Sequence, residues 1–347
     1  MKLSDYDYNL PRGFIAQYPA ENRDNSRLMV LHKDTEKVEH KHFHQIIDYI
    51  DPGDCIVINN SKVFAARLFG NREPTGGKVE VFLLRKIEGS NWEALVRPGK
   101  KLLPGTVVNF SSDFSCKIGD RTEVGGRIVE LITDKNIDDA IEEHGHIPLP
   151  PYISRIDEES DREKYQTVYA SVKGAVAAPT AGFHFTPELL KALEEKGVEI
   201  AQITLHPSLG TFRPVTVQNP LEHKMEPEYY NLPAESAEKI NNSIRNGGRI
   251  IGVGTTSVRT LEKVATNNEN PGKYLVEAGT GQTNLYIYPS YEYKIIRCLI
   301  TNFHLPKSTL LFLVSAFANR EFILRAYEEA KKEGYRFYSY GDAMLII

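Results

Sequence analysis

The chain has 347 residues, 41% hydrophobic and 25% charged, with a net charge of −4, an ordinary globular composition with room for two domains. That acidic balance excludes a nucleic-acid surface spread over the whole molecule, so any RNA site must be a local basic patch. Cys55, Cys116 and Cys298 form no CxxC pair, no signal-peptide region opens the sequence, and no apolar run nears the ~20 residues of a membrane span, so reduced core thiols and a cytoplasmic location are expected.

In chain order, the polar and aromatic N-terminal arm leads into a strand at Leu28–His32. His40, His42 and His44 alternate as metal ligands on a strand face would, yet no carboxylate or cysteine partner lies nearby in sequence. A solvated face is expected there. Asp51–Asp54 reads as a turn and Cys55–Ile58 as a buried strand, ending in the polar cluster Asn59-Asn60-Ser61-Lys62. Such a strand end suits ligand contacts in an α/β sheet, and a plain turn suits the sequence equally.

From about residue 68 short alternating segments follow one another: Lys78–Ile87, Asn91–Arg97, Thr106–Phe110, Ser115–Ile118 and Gly126–Thr133. Gly and Pro pairs punctuate them, as in a small antiparallel barrel or sandwich. Arg97, Lys100 and Lys101 crowd one turn that could clamp phosphates. A short helix near 134–145 and the stiff Ile147–Pro151 then read as a crossing between domains.

Residues 165–185, YQTVYASVKGAVAAPTAGFHF, are unusual. Ala175–Gly182 is almost all small, which lets the backbone approach another surface, and Gly182 permits dihedrals that other residues resist. His184 follows between Phe183 and Phe185, where apolar surroundings lower an imidazole pKa. Taken alone, this stretch fits a tightly packed core turn as well as a proton acceptor.

Beyond it the pattern alternates α and β. Thr186 caps a helix with Pro187 at its first position, ending at Gly197. A strand at Val198–His206 delivers His206 before a loop with Thr211 and Arg213. Residues 219–233, with His223, read as irregular, followed by a helix at 234–246. Arg249–Val253 is a strand leading into a helix at Gly254-Thr255-Thr256-Ser257, a natural anion site without the lysine of a P-loop. Gly279-Thr280-Gly281 reads as a hairpin turn before a strand at Leu285–Tyr288. Cys298–Phe303 is a buried strand running into His304, and Ser308 or Thr309 caps one long helix to Gly334. His184, His206 and His304 each lie at the end of an apolar segment; if the strands share a sheet, those ends can converge on one cleft.

These stretches resemble, closely and in order, the S-adenosylmethionine:tRNA ribosyltransferase-isomerases of queuosine biosynthesis. The resemblance runs through NNSKVFAARL, GGKVEVFLL, IPLPPYI, PTAGFHF, TLHPSLGTFRPV, GTTSVRTLE, TNFHLPKSTL and SYGDAMLI, and covers essentially the whole chain. It implies a mixed α/β fold: a large discontinuous domain, 1–67 and 151–347, with a small antiparallel β-barrel, 68–150, inserted. It also implies that the ribosyl part of S-adenosylmethionine is transferred to 7-aminomethyl-7-deazaguanine at the tRNA wobble position and isomerised to an epoxycyclopentanediol, releasing adenine and methionine. S-adenosylmethionine is then a co-substrate, with no prosthetic group or metal, and a monomer is expected. The chain departs from the usual family wording at Pro207, Ser208, Glu226 and Asn319.

The sulfonium acidifies the adjacent C5′–H, so a suitable base can form an ylide. His184 is the leading base, with His304 or His206 as alternatives or proton donors, and Asp342 could hold a ribose hydroxyl or orient a histidine. Thr255, Thr256 and Arg259 could hold the methionine carboxylate. Asn60, Arg67, Tyr165, Thr180, Thr211, Arg213, His223 and Asn302 complete the candidate substrate contacts, and Arg97, Lys100 and Lys101 those to tRNA. Two other classes compete. A methyltransferase would carry a Gly-rich loop after an early strand, which is absent here; a non-catalytic RNA-binding protein would bind tRNA and release no adenine.

Overall fold

A computed structural model of the chain describes residues 1–122, 125–207, 215, 217–267 and 274–347. Arg27–His32 (β1) and Lys37–His42 (β2) pair antiparallel, and Cys55–Asn59 (β3) is followed by the short Ser61–Val63 (β4). Arg67–Arg72 (β5), Gly77–Glu88 (β6), Asn91–Arg97 (β7), Val107–Asn109 (β8), Phe114–Arg121 (β9) and Arg127–Thr133 (β10) come next. They close an antiparallel barrel in the order β10-β7-β6-β5-β8-β9. Ile137–His144 (α1) plugs it with Ala140 and Ile141, and the inward residues alternate, as Phe114, Cys116 and Ile118 do on β9. The barrel takes one strand more than the sequence pattern gives, because β5 lies inside the apolar run VFAARLFG.

The rest of the chain builds a second layer system. Its elements are Asp161–Lys164 (α2), Val172–Ala175 (β11), Pro187–Glu195 (α3), Glu199–Leu205 (β12), Glu228–Leu232 (β13) and Ala234–Arg245 (α4). Ile250–Val253 (β14), Gly254–Lys263 (α5), Ala265–Asn267 (β15), Tyr274–Val276 (β16) and Gly279–Thr283 (β17) follow. Cys298–Asn302 (β18), Thr309–Ala318 (α6), Arg320–Lys332 (α7) and Ala343–Ile346 (β19) end it.

Among the described residues the large sheet has the order β17-β13-β12-β3-β14-β18-β19-β1-β2. Strands β12, β3, β14 and β18 are mutually parallel, so their C-terminal ends share one edge. Strand β19 runs antiparallel to β18, and β1 runs parallel to β19, so both begin at that same edge. Both faces are covered, and apolar side chains therefore alternate between two cores. Cys55 and Val57 enter the core under the C-terminal helices, while Ile56 and Ile58 enter the core under α3.

Four sequence expectations change here. Residues 228–232 are not irregular but form β13, pairing with β12 and β17. Gly279–Gly281 is the start of edge strand β17, since backbone pairing to β13 needs nothing from its small side chains. Leu285–Tyr288 is not a strand: the Leu285 carbonyl accepts from the Arg259 guanidinium instead of a ladder. The long C-terminal helix also breaks at Asn319, whose φ of 67° ends α6 while its side chain caps α7 through Glu321 N–H. No helix among the described residues is long and apolar enough to cross a membrane.

Candidate functional site

The shared sheet edge gathers Asn59 and Asn60, His206, Gly254–Thr256, Asn302–His304, Asp342 and Ser26 from segments far apart in sequence. A cleft of about 80 Å³ opens there. Ala177–Ala181 form one wall and the start of α5 another, with Thr301–Leu305, Tyr338 and Ser339 among the rest of the lining. The small residues thus floor a cavity, as their size requires. Gly182 is needed for space rather than dihedral freedom: a Cβ there would lie 2.0 Å from the Tyr169 hydroxyl.

His184 sits behind this cleft rather than in it. Thr180 Oγ1 donates to Asn302 Oδ1 (2.8 Å), and Asn302 Nδ2 donates to His184 Nε2 (3.1 Å). Nε2 is then the acceptor nitrogen and Nδ1–H donates to Ser26 Oγ (2.7 Å), which in turn donates to the Arg23 carbonyl (3.1 Å). Every polar atom in the chain is used. Burial, reinforced by the Arg336 and Arg23 guanidiniums, lowers the His184 pKa to about 3, so the ring is neutral. Its open side faces a second hollow of about 200 Å³ lined by Arg23, Ser26, Arg336 and Tyr340. Of the three histidines expected to converge at strand ends, His304 lines the cleft directly. Its Nε2 bonds Thr301 Oγ1 (2.9 Å), its backbone is held by the Tyr327 and Tyr8 hydroxyls, and burial lowers its pKa to about 3.

The other sequence candidates separate into groups. Thr180, Thr255, Thr256 and Asn302 line the cleft. His206 does not, although Pro207 does; its ring stacks on Tyr229 at 5.7 Å and lies where a Cβ on Gly174 would be, 2.9 Å from Nε2. Burial lowers its pKa as well. Asn60 spends its amide on Thr204 Oγ1 (2.7 Å) and Gln202 (3.2 Å), tying β3 to β12. Arg259 is ion-paired with Glu228, both almost fully buried, so its guanidinium braces β13 instead of facing the cleft. Asp342 accepts from the Arg27 and Arg336 N–H groups (3.0 and 2.7 Å) and clamps the turn before β19. Tyr165 packs edge-on to Phe183 and Tyr340, and His223 against Tyr286. Thr211 and Arg213 lie outside the described residues.

Arg67, Arg97 and Lys100 line a different and larger hollow, about 890 Å³, between the barrel and Pro148–Pro151. Arg121 and Arg127 join them, while Lys101 lies outside the lining. Arg67 pairs with Glu80 (3.1 Å) and Arg127 donates to Leu102 O (2.7 Å). Among the described residues Arg97, Lys100 and Arg121 have no hydrogen-bond or ion-pair partner. No three His, Cys, Asp or Glu side chains among the described residues gather as metal ligands would.

Three contributors escaped sequence reasoning. Ser26 and Arg336 carry no local signal. Tyr338 stands just before the SYGDAMLI block, and nothing in the sequence there announces its φ of 70°, a conformation costing a bulky residue about 1–3 kcal/mol.

A family model described as "Queuosine biosynthesis protein" matches residues 3–346. The chain belongs to that family. A relative from Desulforamulus reducens named "S-adenosylmethionine:tRNA ribosyltransferase-isomerase" is 49% identical, with 100% of both chains covered. One of the same name from a Sulfurihydrogenibium species is 51% identical over 100% of both chains. A crystal structure of S-adenosylmethionine tRNA ribosyltransferase from Thermotoga maritima is 39% identical, covers 99% of this chain and 100% of its own, and superimposes with a TM-score of 0.56. In this member of the queuosine family a mixed α/β body and a closed barrel accompany a cleft at the end of parallel strands.

Proposed function

We propose that this chain is an S-adenosylmethionine:tRNA ribosyltransferase-isomerase. The observation that carries this reading is full-length similarity, near 50% identity, to relatives bearing that name. The acceptor is tRNA with 7-aminomethyl-7-deazaguanine at the wobble position, and the product base carries an epoxycyclopentanediol. The protein acts in the cytoplasm as a monomer, with 1–67 and 151–347 as the catalytic domain and 68–150 as the inserted barrel domain.

The sheet-edge cleft is where the chemistry takes place. The sulfonium withdraws electron density from C5′, and a neutral imidazole removes the C5′ proton to give an ylide. The ylide expels O4′ from C4′ to leave a vinyl sulfonium, and the opened C1′ centre collapses to an aldehyde as adenine departs with a proton. The acceptor amine adds to C4′ and loses a proton, the ylide so restored at C5′ attacks C1′ to close the five-carbon ring, and the resulting C1′ alkoxide displaces methionine from C5′ to form the epoxide. His304, which lines the cleft and whose Nδ1 has no partner among the described residues, is the group that geometry favours for moving a proton. His184 acts through Asn302, fixing the orientation of its amide at the cleft wall. Apolar Ala177–Ala181 keep water from the sulfonium and ylide. Arg97 and Lys100, with Arg121, meet tRNA phosphates at the barrel hollow.

Adenine release, measured with and without tRNA bearing the modified base, tests this reading. Release that requires the modified tRNA is expected. Formation of S-adenosylhomocysteine would instead assign methyl transfer, and tRNA binding without adenine release would assign a non-catalytic role.

A further inference from the structure

Two buried hydroxyls in the cleft have nothing to bond. Thr256 Oγ1 and Tyr338 OH both line it, their residues are 8% and 6% exposed, and neither oxygen has a partner. Burying a hydroxyl unpaired is costly, so such atoms mark a place where a ligand completes the bonding. The neighbours of Thr256 sharpen the point. Ser257 and Thr260 turn their hydroxyls back to the carbonyls of Val253 and Thr256, the usual refuge of a helical hydroxyl, and Thr256 does not. Tyr338 is held at positive φ by its own backbone bonds, Tyr338 N–H to Phe303 O (3.3 Å) and Gly341 N–H to Tyr338 O (2.9 Å), which keep its ring at the cleft beside Tyr152.

Thr256 belongs to the first turn of α5, and Tyr338 lines the same cleft as that helix start. That ten-residue helix begins at Gly254 with Val253 in the capping position, no side chain caps it, and its first N–H groups lack partners within the helix. Hydroxyl donors and open N–H groups suit an acceptor-only group with negative charge. The space of about 80 Å³ admits a group of carboxylate size. No Lys or Arg among the described residues lines it.

We propose that Thr256 Oγ1, Tyr338 OH and the first turn of α5 form a charge-neutral subsite for the carboxylate of S-adenosylmethionine. This rests on the functional reading above and replaces Arg259, which pairs with Glu228 and does not line the cleft. Neutral donors have a physical advantage here. The co-substrate brings its own sulfonium and ammonium charges, and an arginine in so small a cleft would repel them. Burial also raises the Tyr338 phenol well above its ordinary value, so it stays a donor.

The test uses Tyr338→Phe, Thr256→Val and Thr256→Ser in the full chain, with calorimetric binding of S-adenosylmethionine and of 5′-methylthioadenosine, which keeps adenine and ribose but has no carboxylate. Tyr338→Phe and Thr256→Val should each weaken S-adenosylmethionine binding about tenfold, the loss expected for a hydrogen bond to a charged group, and leave 5′-methylthioadenosine binding unchanged. Thr256→Ser should bind as the parent does. The unliganded melting temperature of Tyr338→Phe and Thr256→Val should hold or rise, since no internal bond is lost. Equal weakening of both ligands would assign the hydroxyls to the nucleoside and overturn the proposal. So would unchanged S-adenosylmethionine binding, or a clear drop in melting temperature. A parent protein that binds no S-adenosylmethionine overturns the functional reading itself, and the subsite with it.

Discussion

Around the sheet-edge cleft no charged side chain among the described residues contributes to the lining, whereas the barrel hollow takes Arg67, Arg97, Lys100, Arg121 and Arg127 against Glu80 alone. The first is small and floored by alanines; the second is about ten times larger and open, at about 890 against 80 Å³. A charged co-substrate whose intermediates must be kept from water calls for fixed neutral donors and low dielectric. A polyanion with its own counterions calls for exposed, unpaired cations. The chain's overall charge of −4 hides this local separation.

The strongest way to break the contrast is at His304. Replacing it with Ala should lower adenine release about 100-fold or more, the usual contribution of a positioned acid–base group. Turnover near the parent rate would move the chemistry away from this cleft.

The two buried imidazoles also give the cleft an acid sensitivity that the exposed barrel cations cannot have. His184 and His304 are held at about 3, against 6.5 when exposed, so the unfolded chain takes up their protons first. The stability they contribute is complete above pH 6.5 and is lost as pH falls toward 3. At pH 5 the loss should be about 2 kcal/mol per histidine. Melting temperatures recorded from pH 7.5 down to 5 should fall for the parent and fall less steeply for His184→Gln. Identical slopes would mean that His184 does not titrate as its burial requires.

On the barrel side, the Arg97→Ala/Lys100→Ala double variant should raise the KM for tRNA about tenfold at moderate salt. It should also reduce the salt slope of binding by about 2. Binding of S-adenosylmethionine should be unaffected, and a loss there would join the two sites. The smallest effect lies far from both. Asn319→Ala gives up a helix cap and keeps the positive φ, so unfolding should cost about 1 kcal/mol less, read from a denaturant midpoint.

How much of this could be read from the chain depended on where each bond closes. The parallel strands were legible because burial on both faces makes them continuous apolar runs, as in CIVI and CLITN. The barrel was legible through its alternation and its Gly and Pro turns. Strands β13 and β17 were not, since EYYNL and GTGQT carry no such pattern and owe their conformation to each other. The convergence expected for three histidines holds for His304, places His184 one hydrogen bond behind the wall, and leaves His206 packed on Tyr229. His184 looked like an open base because its partners Ser26 and Asn302 lie 158 and 118 residues away. Asp342 looked like a ligand group for the same reason: Arg27, whose N–H occupies it, is 315 residues distant.

The proposed division between a neutral reaction cleft and a cationic RNA-binding hollow is tested most directly by one titration. Adenine release would be followed against increasing modified tRNA for His304→Ala and for Arg97→Ala/Lys100→Ala, side by side. His304→Ala should lose kcat while its KM for tRNA stays within about twofold of the parent, and the double variant should raise KM with kcat retained. A His304→Ala protein that keeps kcat and loses only tRNA affinity, or a double variant that loses kcat at saturating tRNA, would contradict the assignment.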